Sequence, residues 1–479
     1  MSTEQDLAKY SYGVEYSPHT STAVRAPDGV KYVRVQWVDF INNVRYRVLP
    51  RAYFLKVLQA SRPGITVPKV AFGIVFLATA PGFSGSGENL YIPDLSSYRL
   101  CTYAPGHASI MGWFQEKMPS PSGGLSVPLC PRSLLARITQ YAKEKAGVSF
   151  LVGVESEFIL LKETSPKIVE VNHGDWSCSS KFPSGTVEAT VMEEIADNLQ
   201  NAGIELQMYH AEAAPGQYEL ATGPLTPLEA ADALVFTRET IYNTASKHGL
   251  RATFAPRIHL DSCGSAAHTH ISVHSEKPQQ TSETENPLAP ALNSIEQSFL
   301  EGLLSHLPAV CALTLPTTYS YVRVLDGIWS GGTYVCWGTD NRETPVRVCG
   351  SSSIKASSRP HFEVKCVDAT SSPYLAFAAM IAAGTSGITE GKKLSSGDCS
   401  AKPVALMSVE ERKKLGVDGA ARLPKTIADA RKLLVEDKTL TGLLGEEFVE
   451  GYRSVNETLE KLLKADTEEA TVTKLVNFY

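Results

Sequence analysis

The 479-residue chain predicts an α+β protein. Three features carry that prediction. Strands and helices alternate irregularly after Pro128, which disfavours a doubly wound parallel sheet. The first part of the chain is rich in alternating β-forming residues. The helices that are signalled carry distinct start and stop residues, most clearly the one after Thr226.

Taken in order, Lys31-Tyr-Val-Arg-Val-Gln-Trp-Val-Asp39 alternates, Asn42-Asn43 can turn the chain, and Val44-Arg-Tyr-Arg-Val-Leu49 alternates again. Together they predict a hairpin. A short helix follows, with Pro50 in its first turn. Pro81-Gly-Phe-Ser-Gly-Ser-Gly-Glu88 is glycine-rich but lacks the Gly-Lys-Ser/Thr and the strand–turn–helix setting of a nucleotide fingerprint, so it reads as a loop. The Pro/Gly/Ser-rich stretch Pro119–Pro128 marks a boundary. It separates an N-terminal domain (1–118) from a larger one (128–479) through a linker (119–127). A helix is expected from near Pro131 through Ile138 to Lys145. Thr226-Pro-Leu-Glu229 reads as a capping box, with Pro at the first helical position, and the helix stops at Gly249. Pro373–Ala383 is alanine-rich and too short to span a bilayer, so it is read as a core helix. From Ser408 the chain is charged and helical, with breaks at Gly416 and Gly419.

The chemistry concentrates in Phe150-Leu-Val-Gly-Val-Glu155-Ser-Glu157-Phe-Ile-Leu-Leu161. On a strand, residues i and i+2 share a face. Two carboxylates on one face of a buried strand repel and are costly unless something positive neutralises them. A hard divalent cation does so; a strand with one polar face, or a pair neutralised by Arg or Lys, is the alternative. His210-Ala-Glu212 and Glu219 flank a Pro-Gly turn. His268 and His270 share one face of a further short strand, and Glu363 lies in the strand-like run His361–Val367. The group can make two oxygen-rich sites with a histidine on one, a donor set that suits Mg or Mn better than structural zinc.

Apolar content of 43%, charged content of 20% and a net charge of −6 fit an ordinary globular chain and give no basic stripe for nucleic acid. No apolar signal core opens the sequence. Nine cysteines without a C-x-x-C pair argue for free thiols in a reducing compartment, and a cytoplasmic location is expected.

These segments together resemble the glutamine synthetase superfamily, in the branch related to the bacterial type I enzymes and, within it, a fungal glutamine synthetase-like group. The resemblance rests on Val152–Phe158, Pro215–Glu219, Lys247–Pro256, Gly264–His268, Asn341-Arg342 with Arg347, Glu363 with Pro373–Leu375, and, nearer the start, Trp37–Asp39 and Leu90–Ser96. It implies a small β-grasp-like N-terminal domain and a catalytic domain on an open, curved antiparallel sheet with flanking helices. It further implies a homo-oligomeric ring, dodecamer-like, with sites between subunits. By motif position Glu157, Glu212 and Glu219 hold one Mg or Mn ion, and Glu155, His268 and Glu363 hold another. Arg342 and Arg347 contact ATP phosphates, with Lys355 and Ser272 as further nucleotide contacts. Arg323 takes the α-carboxylate of glutamate, Gly264 lends backbone groups, and His270 faces the substrate. Asp39, for which no local partner is evident, reaches a neighbouring subunit's site and helps bind the amine.

Three departures bear on function. No glutamate stands in Gly327-Ile-Trp329-Ser330-Gly-Gly332, where the family has one shortly after its substrate arginine; Asp326 is the only nearby acid, three residues too early. Lys365 replaces the arginine of the family's Glu-x-Arg, keeping charge but losing the bidentate fork. Cys263 replaces an asparagine before Gly264. A missing flap acid and an indole at Trp329 fit an amine pocket reshaped for an organic amine. The expected activity is therefore an ATP-dependent ligase joining glutamate to ammonia or, in preference, an organic amine. The alternative is a non-catalytic ring protein with a scaffold or signalling role.

Overall fold

The computed structural model describes residues 29–119, 124–172, 179–181, 183–275, 286–328, 330–350 and 360–479. The expected hairpin forms: Tyr32–Val38 pairs antiparallel with Val44–Pro50. Asn42 turns the chain at φ 60°, a left-handed conformation that asparagine tolerates. Alternation fixes the register by burying Val33 and Val35. Tyr32–Val38 also pairs in parallel with His107–Ile110, in a four-stranded sheet completed by Arg99–Leu100. Trp37 packs on Tyr91 and Phe114, which belong to a separate three-stranded layer. Pro50 ends its strand and stands one residue before the helix Arg51–Leu58, rather than within its first turn.

A nine-stranded open sheet is built around the 16-residue strand Val148–Glu163. Gln217–Leu225 and Thr269–Ser275 flank it, both antiparallel. The sheet continues to Leu206–Ala211 on one side and through His361–Val364, Val346–Cys349 and Trp337–Thr339 on the other. Phe299, on the helix Ser294–Thr314, packs against Phe150 and Phe362 and so seals one face of the sheet.

Behind that helix lies Pro373–Glu390, the expected core helix, buried from Pro373 to Gly387 and apolar on every side. The two helices approach closely because both offer glycine: a Cβ on Gly302 would stand 2.5 Å from the Ala383 carbonyl oxygen. The helix Pro227–Lys247 ends where expected, at Gly249 with φ +70°. Its start differs. The Thr226 hydroxyl donates to the Glu229 carboxylate at 2.6 Å and makes no bond to a backbone N–H, so the capping box is not formed.

The C-terminal part is helical as expected, and it returns to the hairpin. Phe40 packs on Phe448 and Tyr452, the Tyr479 hydroxyl donates to the Ile41 carbonyl, and Asn42 donates to the Ala369 carbonyl. Among the described residues no helix is long and apolar enough to cross a membrane. The described cysteines are all free.

Candidate active site

Sheet register brings the predicted acids together. Even-numbered residues of the central strand, such as Phe150, face the helices, so Glu155 and Glu157 face the other way. Glu157 lies directly across from Glu219, and Glu219 from His210. On the other flank the Glu155 N–H donates to the His268 carbonyl, placing these two side by side. One strand further, His270 lies opposite Glu363, and Glu363 opposite Arg347.

The side chains then meet. His268 Nδ1 lies 3.1 Å from Glu155, 3.5 Å from Glu363 and 3.7 Å from Glu157. His270 Nε2 lies 3.2 Å from Glu155. His210 reaches Glu219 at 3.1 Å and Glu212 at 3.7 Å. Two groupings can therefore hold a cation: Glu155, Glu219 and His268, and His210, Glu212 and Glu219. Glu155, His270 and Glu363 form a further one. Glu157 bridges the set. Its carboxylate accepts from the Ala266 N–H at 3.0 Å and the Gln217 amide at 3.3 Å.

The electrostatics show unmet negative charge. Burial, and then the neighbouring Glu219 and Glu212, push the Glu157 carboxyl well above the usual carboxylate range. Burial likewise raises Glu219. Burial would also raise Glu155, but hydrogen bonds from His268 and His270 hold it below its ordinary value. Burial and the Lys365 charge press His268 down to about 4, so it is a neutral imidazole with a lone pair to offer. His210 is raised to about 9, chiefly by its bond to Glu219. An oxygen-rich cluster with neutral imidazole, still repelling itself, fits a hard divalent ion.

Cationic residues are also present. Arg347 binds Glu363 at 2.5 Å, and buried Lys365 stands 3.3 Å from both Glu363 and His268. Glu363 is thus flanked by two cationic groups. Arg323 is buried and donates to the carbonyls of Lys365 and Val367, while its Nε has no partner among the described residues. Gly264 abuts it, since a Cβ there would lie 2.5 Å from Arg323 Cγ. Gln217 ties Gly264 to Glu157 through its amide. A cavity of about 490 Å³ opens beside the cluster, with Glu155, His270, Ser272, His274, His361 and Met208 in its wall.

Several expectations land differently. Asp39 is buried and does have a local partner: Arg45 Nε at 2.6 Å, with the Ile41 and Asn43 N–H groups on its other oxygen. Arg45 closes over it, and its turn docks on helices of the same chain. Arg342 is exposed in a turn. Asp326 is not the sole acid near the flap segment. It caps Thr333 and pairs with Arg422, whereas Glu343 accepts from the Gly327 N–H at 3.2 Å. Trp329 and Lys355 lie outside the described residues. The sequence reading assigned no role to His210, Gln217, Cys349 or His361. His210 carried one usable signal: it stands two residues from Glu212.

With the fold and its carboxylate cluster described, comparison with known proteins places them. The family model for the glutamine synthetase catalytic domain matches residues 128–473. The chain is 35% identical to the protein fluG of Emericella nidulans, covering 95% of this chain but only 50% of that one, so it spans half of fluG's length. It is 30% identical to glutamine synthetase of Methanocaldococcus jannaschii over 93% of this chain and 94% of that one. It is 28% identical to the gamma-glutamylpolyamine synthetase GlnA3 of Streptomyces coelicolor, over 89% of each. Among solved structures, a novel glutamine synthase homolog superposes with a TM-score of 0.76 at 25% identity, covering 95% of this chain and all of that one. The chain belongs to the glutamine synthetase superfamily, with its similarity running to the fungal fluG-like branch.

Proposed function

We propose that this chain activates the γ-carboxylate of glutamate with ATP and joins it to an amine, with an organic amine preferred over ammonia. The observation that carries the reading is the pair of carboxylate groupings centred on Glu155 and Glu219, with Glu155 also in the wall of the adjoining cavity. A carboxylate is a poor acyl donor; transfer of the ATP γ-phosphoryl group to it gives an acyl phosphate and ADP, and the amine then attacks the acyl carbon, loses a proton and expels inorganic phosphate to leave the amide. Glu157, Glu212 and Glu219 on one side and Glu155, His268 and Glu363 on the other would hold Mg or Mn, which would neutralise the phosphoryl charge.

The protein's own groups do the rest. Buried Arg323, with its unpaired Nε, suits an α-carboxylate; Gly264 leaves room for it. Arg347, already beside Glu363, and Lys365 stand ready to meet phosphate oxygens once a cation takes the carboxylates. Arg342, Ser272, His270 and Lys355 complete the proposed nucleotide and substrate contacts. The absence of a glutamate in Gly327–Gly332, with Trp329 in its place, supports the amine preference, as does the name of the relative GlnA3. A ring oligomer and a cytoplasmic setting belong to this proposal; Asp39 joins a neighbour's site only if Arg45 swings away from it. Incubation with Mg, ATP, glutamate and a panel of amines, read by mass spectrometry, tests it: γ-glutamyl amides are expected, and ATP turnover without any amide product counts against it.

A further inference from the structure

Across the three strands next to that of Glu157, the sheet assembles a donor set of a different kind. Cys349 ends its strand directly across from His361, and the ring of His361 lies 5.1 Å from that of His270, centroid to centroid. The Cys349 sulfur and one ring nitrogen from each histidine all fall within 4.8 Å of one another. We infer that His270, Cys349 and His361 form a third cation site, selective for a thiophilic ion of the Zn²⁺ class.

Ligand chemistry separates this site from its neighbours. One thiolate and two imidazoles are soft and borderline donors, poor for Mg²⁺ and good for Zn²⁺. Around a tetrahedral zinc with Zn–S of about 2.3 Å and Zn–N of about 2.0 Å, ligand atoms stand roughly 3.4–3.6 Å apart. Ligand atoms that all fall within 4.8 Å of one another are close enough for rotation about their χ angles to bring them onto one ion. Three protein ligands leave a fourth position for water. The surroundings also suit a metal-bound thiolate: Arg347 Nε donates to the Cys349 sulfur at 3.1 Å, an outer-shell bond of the kind that holds a ligand in place. Cys349 is itself buried, whereas His270 and His361 are half-buried in the cavity wall, which gives an ion a way in.

The site shares His270 with Glu155, whose oxygen lies 3.2 Å from the same ring. An ion bound to Cys349 and His361 competes with Glu155 for that imidazole. A consequence for turnover, inhibition by Zn²⁺ that ATP relieves, rests on the ligase reading above; the binding site does not.

Cobalt(II) is the probe, because a thiolate ligand gives it a near-ultraviolet charge-transfer band and four-coordination gives intense visible bands. Full-length protein is saturated with Mg²⁺ to fill the oxygen-rich positions and then titrated with Co²⁺. One equivalent with a charge-transfer band is expected, displaced by Zn²⁺. Cys349→Ser should abolish the band, His361→Gln should weaken cobalt binding at least tenfold, and Cys263→Ser, at an exposed thiol, should leave both unchanged. No charge-transfer band in the wild-type protein overturns the assignment whatever the variants do. A band that survives in Cys349→Ser, or is untouched by His361→Gln, overturns it as well. These readouts need no ATP or glutamate, so they stand apart from any failure of the ligase assay.

Discussion

His268 Nδ1 stands 3.1 Å from a Glu155 oxygen, although 113 residues separate the two in the chain. Antiparallel pairing of their strands makes the contact, and burial beside Lys365 keeps the imidazole neutral. That pair is where an oxygen-rich cluster acquires a neutral nitrogen donor. The first predictions follow from it.

Bound Mn²⁺ or Mg²⁺ should stabilise the fold by mass action, about 2.7 kcal/mol at a hundredfold excess over Kd. Glu157→Gln should raise the melting temperature without metal, by removing repulsion against Glu219 and Glu212, and shrink the metal-induced shift. Differential scanning calorimetry reads both. A variant that melts lower without metal and keeps the full shift contradicts the assignment.

Metal binding should release protons. Glu157 and Glu219 both hold protons more tightly than free carboxyls, and a cation must displace them. Affinity for Mn²⁺ should therefore rise with pH through the acid range. Calorimetric titration in two buffers of different ionisation enthalpy counts the protons; none released speaks against a carboxylate site.

Gly264→Ala should damage glutamate use. The added methyl falls 2.5 Å from Arg323 Cγ and 2.4 Å from the Pro256 carbonyl oxygen, so the arginine must move. KM for glutamate is expected to rise about tenfold or more, with KM for ATP little changed. Equal effects on both substrates point to general loosening instead.

Asp39 carries a pH signature. Burial, opposed by Arg45, raises its carboxyl from 3.8 to about 6. Between these values the folded state keeps a proton that the unfolded chain has lost. Stability from this group is thus fullest below pH 4 and falls as pH rises through 6, by about 3 kcal/mol. Asp39→Asn should flatten that part of the stability–pH curve. Parallel slopes for both proteins from pH 4 to 6 refute the effect.

What the sequence disclosed follows the range over which its signals act. Glu155 and Glu157 were legible because a two-residue spacing on a strand fixes a common face. Gly249 was legible because a helix end calls for a left-handed residue there. The meeting of His210 with Glu219, and of Cys349 with His361 and His270, depends on which residues the pairing of strands sets opposite one another, and no local pattern encodes it. Asp39 was misread for the same reason: Arg45 faces it across the hairpin. The Thr226 cap failed because its hydroxyl found a side-chain carboxylate before a backbone N–H.

The most direct test compares nitrogen donors. ADP release is measured with Mg, ATP and glutamate at matched concentrations of ammonium and of aliphatic, aromatic and polyamine substrates. The account predicts the highest kcat/KM with an organic amine, with ammonium lower and Trp329→Glu shifting use back toward ammonium. The highest kcat/KM with ammonium would contradict it and make this chain a glutamine synthetase in the strict sense.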